Sequence, residues 1–377
     1  MPRQTGTYQI LGETHFFIPF PLPPINPPFE LSAEIMSCYG NANAALTLLN
    51  DMGKKLPNAQ RFIKAYVIKE ALLTSSIEGI HTTLLDVFTY PLEGKEKPNK
   101  NTQLVLNYTA ALDVAVEMLV KEKLPLTSRI ILAAHKTLLT AHGDQTATPG
   151  SYRKQSVKVG TLIPPPAPEI LSLMAALEKY INEPSELPPL IRAGLAHVQF
   201  ETIHPFLDGN GRIGRLLIVL MLMNDRLLQN PILYPSYYLK KHHTEYYQKL
   251  DAVRSNGDFE GWILFYLRAI TESAHDAYQR AQEIEILEKS LVEKIKTISQ
   301  GSKTKETIIQ ALNHLFEQPV IGISQLSEAM NIAYNTASTI IKQYLALNIL
   351  VANNQQKRNK TYRFDAYLKL LEKDFSI

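Results

Sequence analysis

The chain has 377 residues, a formal net charge of +3, 45% hydrophobic side chains and 20% charged ones. That length allows two or three domains, and the composition excludes a disordered or fibrous chain. The charge balance is too near neutral to mark a nucleic-acid binder. The single cysteine, Cys38, excludes a disulfide within the chain and fits a reducing, cytoplasmic setting.

Residues 1–14 lack the basic start and apolar run of a secretion signal. Prolines crowd 17–29 and preclude a helix there, so an extended surface strap is expected. Apolar residues at three- and four-residue spacing predict helices over 31–48 and 59–76, the second stopped by Gly79. After a polar connection at 94–101, helices are expected at 103–122 and 127–141. Thr148, Pro149 and Gly150 then break the pattern. The alternation over 155–159 predicts a short β-hairpin arm closed by Pro164, Pro165, Pro166 and Pro168.

Helices resume at 169–181, 188–202, 211–226, 244–255 and 259–268. A charged helix over 271–298 reads as a linker that ends at Gly301. The longest apolar run, 213–228, contains Arg215, Asn224 and Asp225, and is too short and too polar to span a bilayer, so no membrane partner is expected. Beyond 304, helices at 305–316, 323–330 and 333–347 precede two short strands near 350–352 and 361–364. That is the order of a winged-helix domain. The expected fold is mainly α. Residues 1–100 form an N-terminal helical region, 101–270 a helical core, 271–301 a linker and 302–377 the winged helix.

The chemistry concentrates in His204-Pro-Phe-Leu-Asp208-Gly209-Asn210-Gly211-Arg212-Ile213-Gly214-Arg215. Glycines flanking Asn210 at a helix start let successive N–H groups converge, and the helix dipole adds positive charge, which makes an anion cradle. Arg212 and Arg215, three residues apart, share a helix face and suit phosphate oxygens. Asp208 is a hard oxygen donor suited to Mg²⁺ held jointly with phosphates. His204 is a candidate general base. Base, metal ligand, cradle and cations together are the parts of phosphoryl or nucleotidyl transfer, and the lysine-containing P-loop pattern is absent.

These twelve residues resemble the Fic motif, HPFx[DE]GNGRxxR, at every defined position. The resemblance implies a Fic helical core with a β-hairpin flap, ATP as substrate and Mg²⁺ as cofactor. It makes His204 the base and Asp208 the Mg²⁺ ligand. It gives Gly209 through Arg215, Ile213 and Gly214 included, to the phosphates. AMP would pass to a protein hydroxyl and pyrophosphate would leave. The related Doc proteins carry lysine where Gly211 stands and transfer a phosphate instead, so Gly211 favours AMP transfer. Pro149-Gly150-x-Tyr152-Arg153 and 157–165 look like the family's flap. Val159, Gly160, Thr161 and Leu162 would lie beside the nucleotide, and a target protein would add a strand at the flap. The segment around Tyr246 and Tyr247 is similar to the one bordering the adenine, with one of the two rings equally readable as core.

Thr74-Ser-Ser-Ile-Glu78-Gly79 is similar to the family's inhibitory motif, [ST]xxxE[GN]. A carboxylate paired with Arg215 would stand where the γ-phosphate must sit. A homodimer is implied by the resemblance alone. The candidate recognition helix 334–347 carries one basic residue, Lys342, and the wing carries Lys357, Arg358 and Lys360. DNA and protein are thus equally open as partners of 302–377. His197, Trp262 and Phe265 read as structural, and His242 and His243 as solvated.

Overall fold

The computed structural model describes residues 3–55, 59–90, 98–140, 148–297, 302–353 and 360–373. The wing residues Lys357 and Arg358 lie outside these. The chain opens with an antiparallel hairpin, β1 (Gly6–Leu11) and β2 (Thr14–Pro19), with Gly6 opposite Pro19 and Leu11 opposite Thr14. The hairpin was not expected. Its sequence lacks clean alternation because the neighbours Phe16 and Phe17, on opposite faces of β2, are both buried.

Helices α1 (Ala33–Lys55), α2 (Ala59–Ile77), α3 (Leu84–Thr89), α4 (Lys100–Val116) and α5 (Ser128–Leu139) follow. The short α3 was also unexpected. A capping box starts it: the Thr83 hydroxyl accepts from the Asp86 N–H, and the Asp86 carboxylate accepts from the Thr83 N–H. Next come α6 (Ile170–Asn182), α7 (Pro189–Ile203), α8 (Asn210–Asn224), α9 (Ser236–Lys241) and α10 (His243–Asn256). The antiparallel pair α7 and α8 forms the centre. Nearly every residue of each is buried, including the polar Arg192, His197, Glu201, Arg212 and Arg215.

The expected break between a core helix at 259–268 and a linker helix at 271–298 does not exist. One helix, α11 (Phe259–Lys296), runs through both and packs along α1. Its inner face carries Ala274, Ala277, Ala281 and Ile284, all buried, together with Asp276 and Arg280, whereas other charges pair on the outer face, as Lys289 does with Glu285. Small inner residues and a charged outer face are easily misread as a solvated linker.

The chain closes with α12 (Ser302–Glu317), β3 (Val320–Gly322), α13 (Ile323–Met330), α14 (Tyr334–Ala346), β4 (Val351–Ala352), β5 (Thr361–Arg363) and α15 (Asp365–Glu372). The three strands form an antiparallel sheet in the order β3-β5-β4. The expected three helices and two strands are present, with β3 and α15 added. This module packs on the rest of the chain. Helix α12 lies against α2 and α11, and β3 and α15 lie against α3.

A buried ionic network joins α2 to α11. Asp276 accepts from Lys69 at 3.1 Å, from the Tyr234 hydroxyl at 2.5 Å and from Arg280 at 2.9 Å. Lys69 is 1% exposed. Burial opposes the Asp276 charge, but Lys69, Tyr234 and Arg280 outweigh it and hold the carboxyl below its ordinary value. Asp276→Ala removes the carboxylate shared by two buried cations and is expected to cost about 3–5 kcal/mol in denaturant unfolding. A depressed carboxyl contributes stability above its unfolded pKa and loses it as the pH falls through the folded one. The wild-type advantage over Asp276→Ala is therefore full at neutral pH and shrinks in acid.

Candidate functional site

The site is the turn between the two central helices. Helix α7 ends at His204, which takes the left-handed conformation with φ of 50°. That is an uncommon backbone for a residue other than glycine, and it persists only where its surroundings enforce it. Arg153 is the enforcer. This buried guanidinium donates to the His204 carbonyl at 2.8 Å, to the Pro165 carbonyl at 2.6 Å and to the Gln155 carbonyl at 2.9 Å. The Arg153 N–H also donates to the Pro205 carbonyl at 2.9 Å. One side chain thus fixes the flap base to the turn that carries His204.

The loop then closes onto α8. Asn210 accepts from the Phe206 N–H and donates to the Phe206 carbonyl, both at 2.8 Å. Its side chain is therefore spent on shaping the loop, and only its main chain is left for the cradle. Gly209 caps α8 with φ of 83°, leaving the first-turn N–H groups at 210–212 without helical acceptors. His135 on α5 was not singled out from sequence. It bridges the Gly150 N–H and the Asp208 carbonyl at 3.0 Å each and stacks on Phe206 at 3.6 Å. Because Gly150 donates to Nδ1, the ring proton sits on Nε2 and is donated to Asp208. Asp208 itself is exposed. Its carboxylate accepts from the Gly209 N–H at 2.6 Å and from Arg212 at 3.3 Å.

Two arginines face this helix start in different states. Arg212 is 2% exposed, yet its Nε and Nη1 have no protein acceptor. Buried donors of this kind call for an anion. Arg215 is 1% exposed and fully engaged by α2: its Nε donates to the Thr74 hydroxyl at 2.7 Å and its Nη2 to the Glu78 carboxylate at 2.5 Å. The same Glu78 oxygen lies 2.2 Å from where a Cβ on Gly211 would stand. A carboxylate therefore sits over the first turn of α8, in the space an anion would take. Only glycine at 211 permits this approach.

Glu78 reaches there because α2 ends in a Schellman motif. The Ile80 N–H donates to the Ser75 carbonyl and the Gly79 N–H to the Ser76 carbonyl, with Gly79 at φ of 75°. A carboxylate at a helix C-terminus opposes the helix dipole. Arg215 offsets that.

Not every expected residue joins the cradle. Ile213 is buried in the core, and the Gly214 carbonyl accepts from His197 Nδ1 at 2.9 Å. Both support α8 from beneath; position along the motif did not reveal the side they face. The His197 Nε2 then accepts from the Tyr246 hydroxyl at 2.9 Å, so Tyr246 is the core ring of its pair, while Tyr247 is 39% exposed beside it. Glu201 was also missed. It is buried beside Gly214 with one oxygen unpartnered, and burial pushes its carboxyl up to about 7.

The flap is a single antiparallel bridge between Val159 and Leu162, hydrogen-bonded both ways at 2.9 Å around Gly160 and Thr161, and not the expected two-stranded arm. The prolines at 164–166 lack N–H groups and stop the ladder. The Ile163 carbonyl instead accepts from Phe17 of β2 at 2.9 Å. Among the described residues no cluster of three or more His, Cys, Asp or Glu side chains could cage a metal. Asp208 fits an ion only where phosphate oxygens and water complete the shell.

The geometry thus defines a helical protein with a deep, cationic anion site at a helix start. The Fic/DOC family model matches residues 125–222, and the Fic/DOC family N-terminal model matches residues 36–117. These two segments of the chain are thus similar to the Fic/DOC family. Among curated proteins, "Protein adenylyltransferase Fic" of Drosophila willistoni is 33% identical over 240 residues, 62% of this chain and 45% of that protein. The protein of the same name from Drosophila melanogaster is 33% identical over 177 residues, 46% of this chain and 34% of its own length. The chain thus spans less than half the length of these relatives. In fold it is similar to a Fic family protein from Desulfovibrio desulfuricans, with TM-score 0.56 and 21% identity over 89% of this chain and 97% of that one. It is also similar to Fic-1 from C. elegans, with TM-score 0.52 and 21% identity over 68% and 74%.

His204 Nδ1 is sealed from solvent without a partner. Burial, helped by the Arg254 charge, lowers the His204 pKa to about 4. The imidazole is therefore neutral throughout the physiological range. In an NMR titration its ring resonances are expected to stay flat from pH 8 to pH 5 and to move only in stronger acid. A transition near the ordinary imidazole value would contradict this environment.

Proposed function

We propose that the chain transfers AMP from ATP to a side-chain hydroxyl of a protein and that Glu78 restrains this transfer. The observation that supports it most is the Glu78 carboxylate on Arg215, directly over Gly211, beside an arginine whose buried donors await an anion. The relatives' name, protein adenylyltransferase, agrees.

In the transfer, the triphosphate lies along the start of α8. Arg212 and the first-turn N–H groups hold its phosphates. Asp208 would hold Mg²⁺, which would supply charge neutralisation there when bound. The neutral imidazole of His204 takes the proton from the target hydroxyl. The hydroxyl oxygen bonds to the α-phosphorus as the bond from that phosphorus to the bridging oxygen of the β-phosphate breaks, and pyrophosphate leaves. The flap at 157–165 supplies main-chain groups to the target, ahead of the Ile163 carbonyl that β2 already occupies. While Glu78 pairs with Arg215, the γ-phosphate lacks its cation and meets a carboxylate. ATP then lies out of line for attack, and small errors of alignment are costly.

Incubation with ATP labelled at the α-phosphate, Mg²⁺ and lysate of the host tests this. Glu78→Gly is expected to label protein several-fold more strongly than wild type. His204→Ala, alone or with Glu78→Gly, is expected to lower labelling by roughly 10²-fold or more. Equal labelling by Glu78→Gly and wild type would remove the restraint from the reading. Labelling from the γ-phosphate instead would replace AMP transfer by phosphorylation.

A further inference from the structure

We infer that the C-terminal module, residues 302–373, serves as a clamp that holds the Glu78-bearing end of α2 in its restraining position; this rests on the restraint proposed above. The module meets α2 and the segment that follows it in three ways. First, the Gln318 side chain, just past α12, donates to the Phe88 carbonyl at 2.7 Å and to the Val320 carbonyl at 3.1 Å. It ties α3, which begins six residues after Glu78, to β3 of the module. Phe88 and Val87 of α3 are buried in the shared core. Second, α12 packs directly on α2.

Third, a continuous chain of ion pairs runs from the last helix of the module to α2. Lys373 pairs with Glu283 at 2.9 Å and Glu283 with Arg280 at 2.8 Å. Arg280 pairs with Asp276 at 2.9 Å and Asp276 with Lys69 at 3.1 Å. Lys69 lies on the same helix as Thr74, and Glu78 directly follows that helix. A shift of the module therefore breaks the exposed Lys373–Glu283 pair or passes through Arg280 and Asp276 to α2.

The end of α2 also has room to move. A cavity of about 390 Å³ opens between Ser76, Ile80 and Leu84 on one side and Glu372 of α15 and Lys240 of α9 on the other. Close-packed interiors resist displacement, and a void beside the helix end removes that resistance. The contacts hold the end of α2 where Glu78 meets Arg215. Loss of those contacts lets it swing into the cavity and withdraw the carboxylate. A macromolecule that binds the free face of the module would then act on AMP transfer without touching the cradle.

The test weakens the clamp at its surface, in the full chain, with Gln318→Ala and Lys373→Glu together. Hydrogen exchange over residues 74–90 reads the coupling with no reference to activity. It is expected to quicken roughly five-fold or more, the scale of ordinary allosteric coupling, while exchange in α13 and α14 stays unchanged. AMP transfer is expected to rise by a similar factor in the wild-type background and not at all in the Glu78→Gly background. Unchanged exchange over 74–90 would overturn the clamp. So would an equal gain of transfer in both backgrounds. If Glu78→Gly transfers no AMP, the functional reading fails, and the exchange measurement still decides the clamp.

Discussion

A guanidinium buried in the middle of a helical core organises this molecule. Arg215 is 1% exposed, and arginine does not shed its proton, so the charge must be met by partners within reach. Among those the structure supplies are Thr74 and Glu78, 141 and 137 residues away along the chain. The N-terminal helices are therefore bound into the central core, and the boundary expected at residue 100 is no domain boundary in the physical sense. The same requirement makes the site reversible. In the proposed transfer a triphosphate would replace the Glu78 carboxylate as the anion on Arg215, so the buried charge would be compensated in either state.

The neutral base follows from the same burial. A half-buried imidazole flanked by Arg254 and Arg153 is held unprotonated, so a lone pair is always available. Its weakness as a base is no obstacle if the hydroxyl proton leaves late, after bond-breaking at phosphorus has begun, as loose phosphoryl transition states allow. What the chemistry needs from His204 is position. Arg153 supplies it by holding a left-handed backbone that the residue would otherwise leave. His135 does the same for Asp208.

The cradle was legible in sequence because its parts are contiguous. Residues 204–215 contain the base, the carboxylate, both glycines and both arginines. Their order along one turn and one helix start fixes their relation. Glu78 was legible only through its resemblance to a known motif, since nothing local connects it to Arg215. His135 was missed and Arg153 was read only as part of the flap; they reach the site over 73 and 51 residues, through main-chain carbonyls that any sequence provides. Such contacts leave no periodicity. Ile213 and Gly214 were assigned to the cradle by their place in the motif, and the fold turns them toward the core. Helix α11 was misread because a solvated charge pattern looks the same whether or not small residues bury the opposite face.

Helix α2 serves two masters, and this dictates where a switch can lie. Toward the site it presents Thr74 and Glu78. Toward α11 it presents Tyr66, whose hydroxyl donates to the Ala277 carbonyl at 2.7 Å, and Lys69 on Asp276. Glu70 adds a third anchor, accepting from Ser236 of α9. Withdrawing the whole helix would pull the Tyr66 hydroxyl, Lys69 and Glu70 away from these buried partners. Bending it in the middle would break main-chain hydrogen bonds within a close-packed core. The last turn is different. Beyond Ile77 the main chain is held by the Glu78, Gly79 and Ile80 N–H groups on Ser75 and Ser76, and Gly79 can adopt many backbone conformations at little strain. Freeing Arg215 thus requires the smallest disruption at the very residue that carries the carboxylate. A restraint placed at a helix end can be released without unfolding the helix that delivers it.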